Sequence, residues 1–129
     1  MRRNKFPCWK YMKERLEDVS LLKRSVPIVV DGIAVALAVP VGGKRRGGYL
    51  ALATLRWCRA ALRQLKGNSG FPNLRIVDGR PWQCMHNVEF GDPQPQCDSD
   101  LHKGDDAERG RYFGYSEQAI EKFMKRMTQ

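Results

Sequence analysis

Long apolar runs are missing from this chain. The longest, Ile33 to Val41, covers nine residues, well short of the roughly 18 that a membrane-spanning helix needs. Histidine is almost absent: His86 and His102 are the only two, so any imidazole chemistry rests on one pair. Cysteine is scarce. Cys8, Cys58, Cys84 and Cys97 show no regular spacing, so reduced thiols are expected rather than a disulfide framework. The basic start Met1-Arg2-Arg3-Asn4-Lys5 is not followed by the apolar stretch of a secretory signal, which makes the cytoplasm the expected location. Internal repeats are missing too. Acids are nearly missing from the first half: residues 1–66 carry 15 Lys and Arg against 4 Asp and Glu, whereas residues 67–129 carry 8 against 10.

What is present is an ordinary globular balance. The 129 residues are 42% hydrophobic and 29% charged, enough for one domain with a real core. The formal net charge is +9. Charge gathered in one half is the footprint of a polyanion-binding surface, because clustered Lys and Arg release counterions from phosphates.

Periodicity sets the expected elements. Trp9, Met12, Leu16 and Val19 recur at helical spacing, which predicts a helix over Cys8 to Val19 with Pro7 at its start. Val26–Val30 and Ile33–Val39 read as strands, joined by Asp31-Gly32, a type I′ hairpin signal. Pro40 ends the second strand. Gly42–Gly48 reads as the flexible basic tip of a second hairpin, with Tyr49–Ala53 as its returning strand. Thr54 caps a helix from Leu55 to Lys66; a helix beginning at Tyr49 is the alternative. Leu74–Val77 and Gln83–Phe90 read as paired strands. Residues 91–110 hold few apolar side chains and many acids, which predicts a mobile acidic loop. Arg111–Gly114 reads as an edge strand. Ser116 and Glu117 open a last helix with Ile120, Phe123, Met124 and Met127 as its buried stripe. The expected fold is a single α+β domain, with a mainly antiparallel sheet and two to three packed helices.

The helix Leu55–Lys66 carries the sharpest pattern. Leu55, Cys58, Leu62 and Leu65 form the apolar stripe, and Arg56, Arg59, Arg63 and Lys66 repeat its spacing one residue on. One residue is about 100° of helix rotation, so the four cations form one ridge beside the buried face. Lys44, Arg45 and Arg46 in the glycine-flanked loop would extend it. The loop is no nucleotide-binding P-loop, since neither Ser nor Thr follows Lys44. These seven residues are the expected phosphate-binding set.

Other chemistries have thinner support. Cys84, His86, Cys97 and His102 make an inventory for tetrahedral zinc, but neither half is a standard knuckle. Asp98 and Asp100 begin like a calcium loop, yet His102 and Lys103 occupy the following ligand and glycine positions. His86 and His102 could serve as base and acid in metal-free RNA cleavage, with Arg80 or Lys103 on the phosphorane. Arg111-Tyr112-Phe113-Gly114-Tyr115-Ser116 resembles the second motif of GIY-YIG nucleases, but no first motif stands upstream and that family is excluded.

Leu37-Ala38-Val39-Pro40-Val41-Gly42-Gly43-Lys44-Arg45-Arg46-Gly47-Gly48-Tyr49-Leu50, Gly70-Phe71-Pro72-Asn73-Leu74-Arg75 and Phe113-Gly114-Tyr115-Ser116 resemble a family of small uncharacterised actinobacterial proteins. The resemblance implies a stand-alone protein of a bacterium or mobile element and brings no activity or cofactor with it. The expected function is therefore nucleic-acid binding. A two-histidine ribonuclease and an adaptor or inhibitor for an acidic protein surface are the alternatives.

Overall fold

A computed structural model describes residues 2–77, 85–92 and 106–127. The fold is α+β. Its elements are α1 (Pro7–Arg15), β1 (Val26–Val30), β2 (Ile33–Ala38), β3 (Gly47–Leu52), α2 (Leu55–Leu65), β4 (Arg75–Val77), β5 (His86–Gly91), α3 (Asp106–Tyr112) and α4 (Glu117–Met127), with 3₁₀ turns at Arg3–Lys5 and Val19–Arg24. No helix among the described residues is long and apolar enough to cross a membrane.

The strands form two antiparallel sheets, β1-β2 and β3-β5-β4. Asp31 and Gly32 both take positive φ, 51° and 77°, as the type I′ turn between β1 and β2 requires. Leu74–Val77 and Gln83–Phe90 pair as expected, although the described strands are shorter. The second expected hairpin does not form. Gly42 and Arg45 close a tight turn by exchanging backbone bonds of 3.1 and 2.9 Å, yet β3 ladders with β5 rather than with β2.

Two cores flank this broken layer. Ile28, Ala36 and Ala38 of the first sheet join Leu50, Leu52, Val88 and Phe90 of the second, with Cys58, Ala61 and Leu65 of α2 in the same cluster. Leu37 and Val39 point the other way, onto Phe6, Met12, Leu16 and Leu22 around α1. On the second sheet, the face opposite Leu50 and Phe90 is met by α3: the Tyr112 hydroxyl lies where a Cβ on Gly47 or Gly91 would stand. Only glycine at those paired positions admits it.

Three other expectations are corrected. The first helix stops at Arg15 rather than Val19, because Leu16 turns extended and bridges Tyr115 while Glu17 N–H donates to Gly114 O. Arg111–Gly114 is no edge strand. It is the end of α3, where Gly114 at φ 78° supplies the left-handed residue that closes a helix. That helix begins inside the stretch expected as an acidic loop; residues 93–105 of the stretch lie outside the described residues. Finally, Phe123 of α4 is 44% exposed, whereas Ile120 is buried as expected.

Candidate polyanion-binding surface

Thr54 fixes the start of α2: its Oγ1 accepts from the Trp57 N–H at 3.1 Å. Cys58, Ala61 and Leu65 are then fully buried, which commits the opposite side of the helix to solvent. Arg56, Arg59 and Arg63 are exposed there, and Lys66 is exposed just past the last turn. Arg59, Arg63 and Lys66 make no ion pair with any described carboxylate. Arg56 does: its Nη1 lies 2.8 Å from Asp31 Oδ2 at the hairpin tip, with both side chains more than half exposed. The Asp31 carboxylate raises the already high pKa of that guanidinium.

The seven expected cations do not share one surface. Lys44 and Arg46 belong with α3 and α4, on the side of the sheet away from α2. Arg46 N–H donates to Tyr112 O, and Arg46 Nε donates to Asp92 O at 2.8 Å. Lys44 lies near Glu117, whose carboxyl is held below its usual range mainly by a hydrogen bond from Arg111, with Lys44 adding to the effect.

Arg45 leaves the surface altogether. It is 5% exposed, and its guanidinium bonds two carbonyls: Nη1 to Phe113 O at 2.7 Å, and Nε and Nη2 to Val39 O at 3.3 and 3.2 Å. Gly48 and Gly114 make the room, since a Cβ on either would collide with Arg45. Burial lowers its pKa to about 10. An arginine so enclosed cannot also reach a phosphate outside.

His86 opens β5 half-buried, opposite Leu52. Cys84, Cys97 and His102 lie outside the described residues, and with them the zinc set and the histidine pair. No group of three or more His, Cys, Asp or Glu that could hold a metal occurs among the described residues. Cys58 is fully buried in the core beneath α2, the small hydrophobe its position suggests.

Two features were not anticipated from the sequence. Glu89, fully buried on β5, receives Arg75 Nη2 at 2.9 Å and Nε at 3.2 Å on the same oxygen. Strand alternation places both residues on one face, but nothing local announces burial. The second feature is an aromatic cleft. A hollow of about 360 Å³ lies between β2 and β3, and a smaller one of about 220 Å³ adjoins it beside Arg109 and Ile120. Tyr11, Tyr49, Phe113 and Tyr115 line both. Burial raises the Tyr49 and Tyr115 phenols above their ordinary pKa.

The model of a family of unknown function (DUF6302) matches residues 4–129. The chain belongs to that family. The match takes in all three segments on which the sequence resemblance rests, and it assigns no activity to DUF6302 members. No curated protein matches the chain, and no solved structure does.

Proposed function

We propose that the protein binds nucleic acid through the outer side of α2, with Arg59, Arg63 and Lys66 on phosphates and Arg56 at the near end. The observation that supports this reading is the pairing pattern. Three exposed cations follow one another at helical spacing with no described carboxylate in ion-pair reach, on a helix whose other side is anchored in the core. Eleven residues of helix rise about 16 Å, the span of several phosphates along one strand. Contacts of this kind carry no base information, so the binding is general in sequence. Such a protein acts in the cytoplasm as an accessory factor of a bacterium or mobile element.

Fluorescence anisotropy with duplex DNA and with single-stranded RNA, across a salt series, tests it. Three to four neutralised phosphates give a slope of log K against log salt of about −3 on duplex DNA. Salt-independent binding overturns the reading. No affinity for either nucleic acid, together with capture of an acidic protein, moves it to the adaptor class.

A further inference from the structure

Leu50 and Leu52 of β3 enter the core beneath α2, so Tyr49 and Ala51 point to the opposite side of the sheet. Leu37 and Val39 of β2 turn to that side as well, toward α1. The two strands pack against each other and share one core cluster, which gives the 360 Å³ hollow above them a closed floor. Tyr11 and Met12 of α1 form one wall, and Phe113 and Tyr115 form another. The 220 Å³ hollow continues from it toward α3 and α4, past Arg109, Ile120 and Phe123. Together they make one trough on the face of the layer away from α2.

Aromatic rings dominate this trough. Six large hydrophobic side chains are exposed among the described residues, and three of them, Tyr11, Tyr49 and Phe123, stand around it. Phe113 is the hub, with the rings of Tyr49 and Tyr115 tilted against it at centroid distances of 5.6 and 5.7 Å. Rings held at such angles offer both faces and edges, which suits a flat aromatic guest. A concave, mostly apolar space with a few placed polar groups is the usual form of a small-molecule site, at roughly 300–1,000 Å³.

The polar groups set the sign of that guest. Arg15, Arg45 and Arg109 line the trough against a single described carboxylate, Asp106. Arg45 is bonded to the Val39 and Phe113 carbonyls. Arg15 lies over the Tyr11 ring at 3.5 Å and donates to the Tyr11 carbonyl. Arg109 is different. Its Nη2 pairs with Asp106, but its Nη1 is buried and has no hydrogen-bond partner among the described residues. Its charge opposes the upward shift of the Tyr49 phenol, which places the guanidinium beside the rings. A Cβ on Gly110 would meet Ile120 Cγ1 at 2.8 Å, so the glycine lets α3 seat closely on α4 and holds Arg109 in the wall. An N–H shut away from water calls for an acceptor. One available guanidinium nitrogen, with the other two arginines already on carbonyls, suits a single negative charge.

We propose that the trough binds a small, flat aromatic carboxylate, its ring lodged among Tyr11, Tyr49, Phe113 and Tyr115 and its carboxylate accepting from Arg109 Nη1. The rings supply the contact area, and the guanidinium selects the acid over its neutral analogues. The site is independent of the nucleic-acid reading, because α2 packs on the other side of the layer.

Amide NMR of the full chain tests the proposal, with 2-naphthoate, its uncharged carboxamide and acetate as probes. Naphthoate shifts the Ala51, Gly110 and Tyr115 amides at submillimolar concentration. The carboxamide binds at least tenfold more weakly, and acetate leaves these resonances in place. Arg109→Met keeps the apolar stem and removes the charge, so naphthoate falls to the affinity of the carboxamide. Ala51→Trp, which fills the trough from an exposed position, removes the response to both ring compounds while spectral dispersion is retained. Four results overturn the proposal: no shift at millimolar naphthoate, equal affinity for the carboxamide, an equal response to acetate, or shifts confined to α2. Movement of the same resonances with protein concentration alone also overturns it and makes the trough a contact between two copies of this chain.

Discussion

Gln64 serves both backbone groups of Val29: its Nε2 donates to the Val29 carbonyl at 2.9 Å, and its Oε1 accepts from the Val29 N–H at 3.2 Å. Val29 sits where the β1-β2 register slips, on the strand at the outer edge of its sheet. A side-chain amide from α2 thus stands in for the neighbouring strand that β1 lacks, and shields an edge that would otherwise be open to pairing. Gln64→Leu leaves both groups half-buried and unpartnered. It should cost about 1–2 kcal/mol in urea unfolding, with the midpoint lowered and the slope unchanged.

The cations of α2 separate by pairing. Arg59→Ala with Arg63→Ala should weaken duplex binding for every sequence tried and reduce the salt slope by about two. Thermal unfolding should scarcely change, since both side chains are exposed. Asp31→Asn removes the acid that holds Arg56 and should strengthen binding modestly at low salt. Anisotropy on the three proteins side by side checks both statements.

The Arg75–Glu89 pair behaves differently from a surface bridge. Glu89 is fully buried, and its second oxygen has no hydrogen-bond donor among the described residues. Arg75→Ala strands that carboxylate and should destabilise the fold by about 3 kcal/mol. Arg75→Met with Glu89→Leu should recover most of the loss, because two apolar groups need no partners. Denaturant midpoints of the single and double variants decide the point.

The phenols report burial directly. Tyr49, Tyr112 and Tyr115 are all raised above the ordinary phenol value, in each case first by desolvation. In the native state they keep their protons at a pH where the unfolded chain has lost them. Folding stability should therefore fall as pH rises past about 10. Absorbance at the phenolate band should show these groups ionising late, in step with loss of the fold.

Much of the framework is legible in the sequence because its signals are local. Asp31-Gly32 announces its turn through the two positive φ angles it needs, and Thr54 announces α2 through the N–H groups it caps. The remaining differences come from partners distant in sequence. Leu16 leaves its helix to bridge Tyr115, about a hundred residues away, so periodicity carries the expected helix one turn too far. The aromatic run Tyr112 to Tyr115 reads as strand by composition, although it finishes a helix. Lys44-Arg45-Arg46 reads as three equal charges, yet the middle one turns inward because Gly48 and Gly114 leave room for it. Charge type can be read from a sequence, but the face that each charge occupies depends on the fold.

α2 packs against β1 of one sheet and against β3, β4 and β5 of the other. It acts as a crossbar between two ladders that share no backbone bond among the described residues. Force or heat applied to either ladder reaches the other through this helix as well as through the packing of β2 against β3, so the melting of the halves is tied to the integrity of both contacts. A ligand seated on the outside of α2 binds the folded chain and not the unfolded one, and its free energy adds to the stability of both ladders at once. Occupancy of the helix should therefore be readable far from it, as slower amide exchange in the Val26–Ala38 hairpin and in the β3–β5 ladder together.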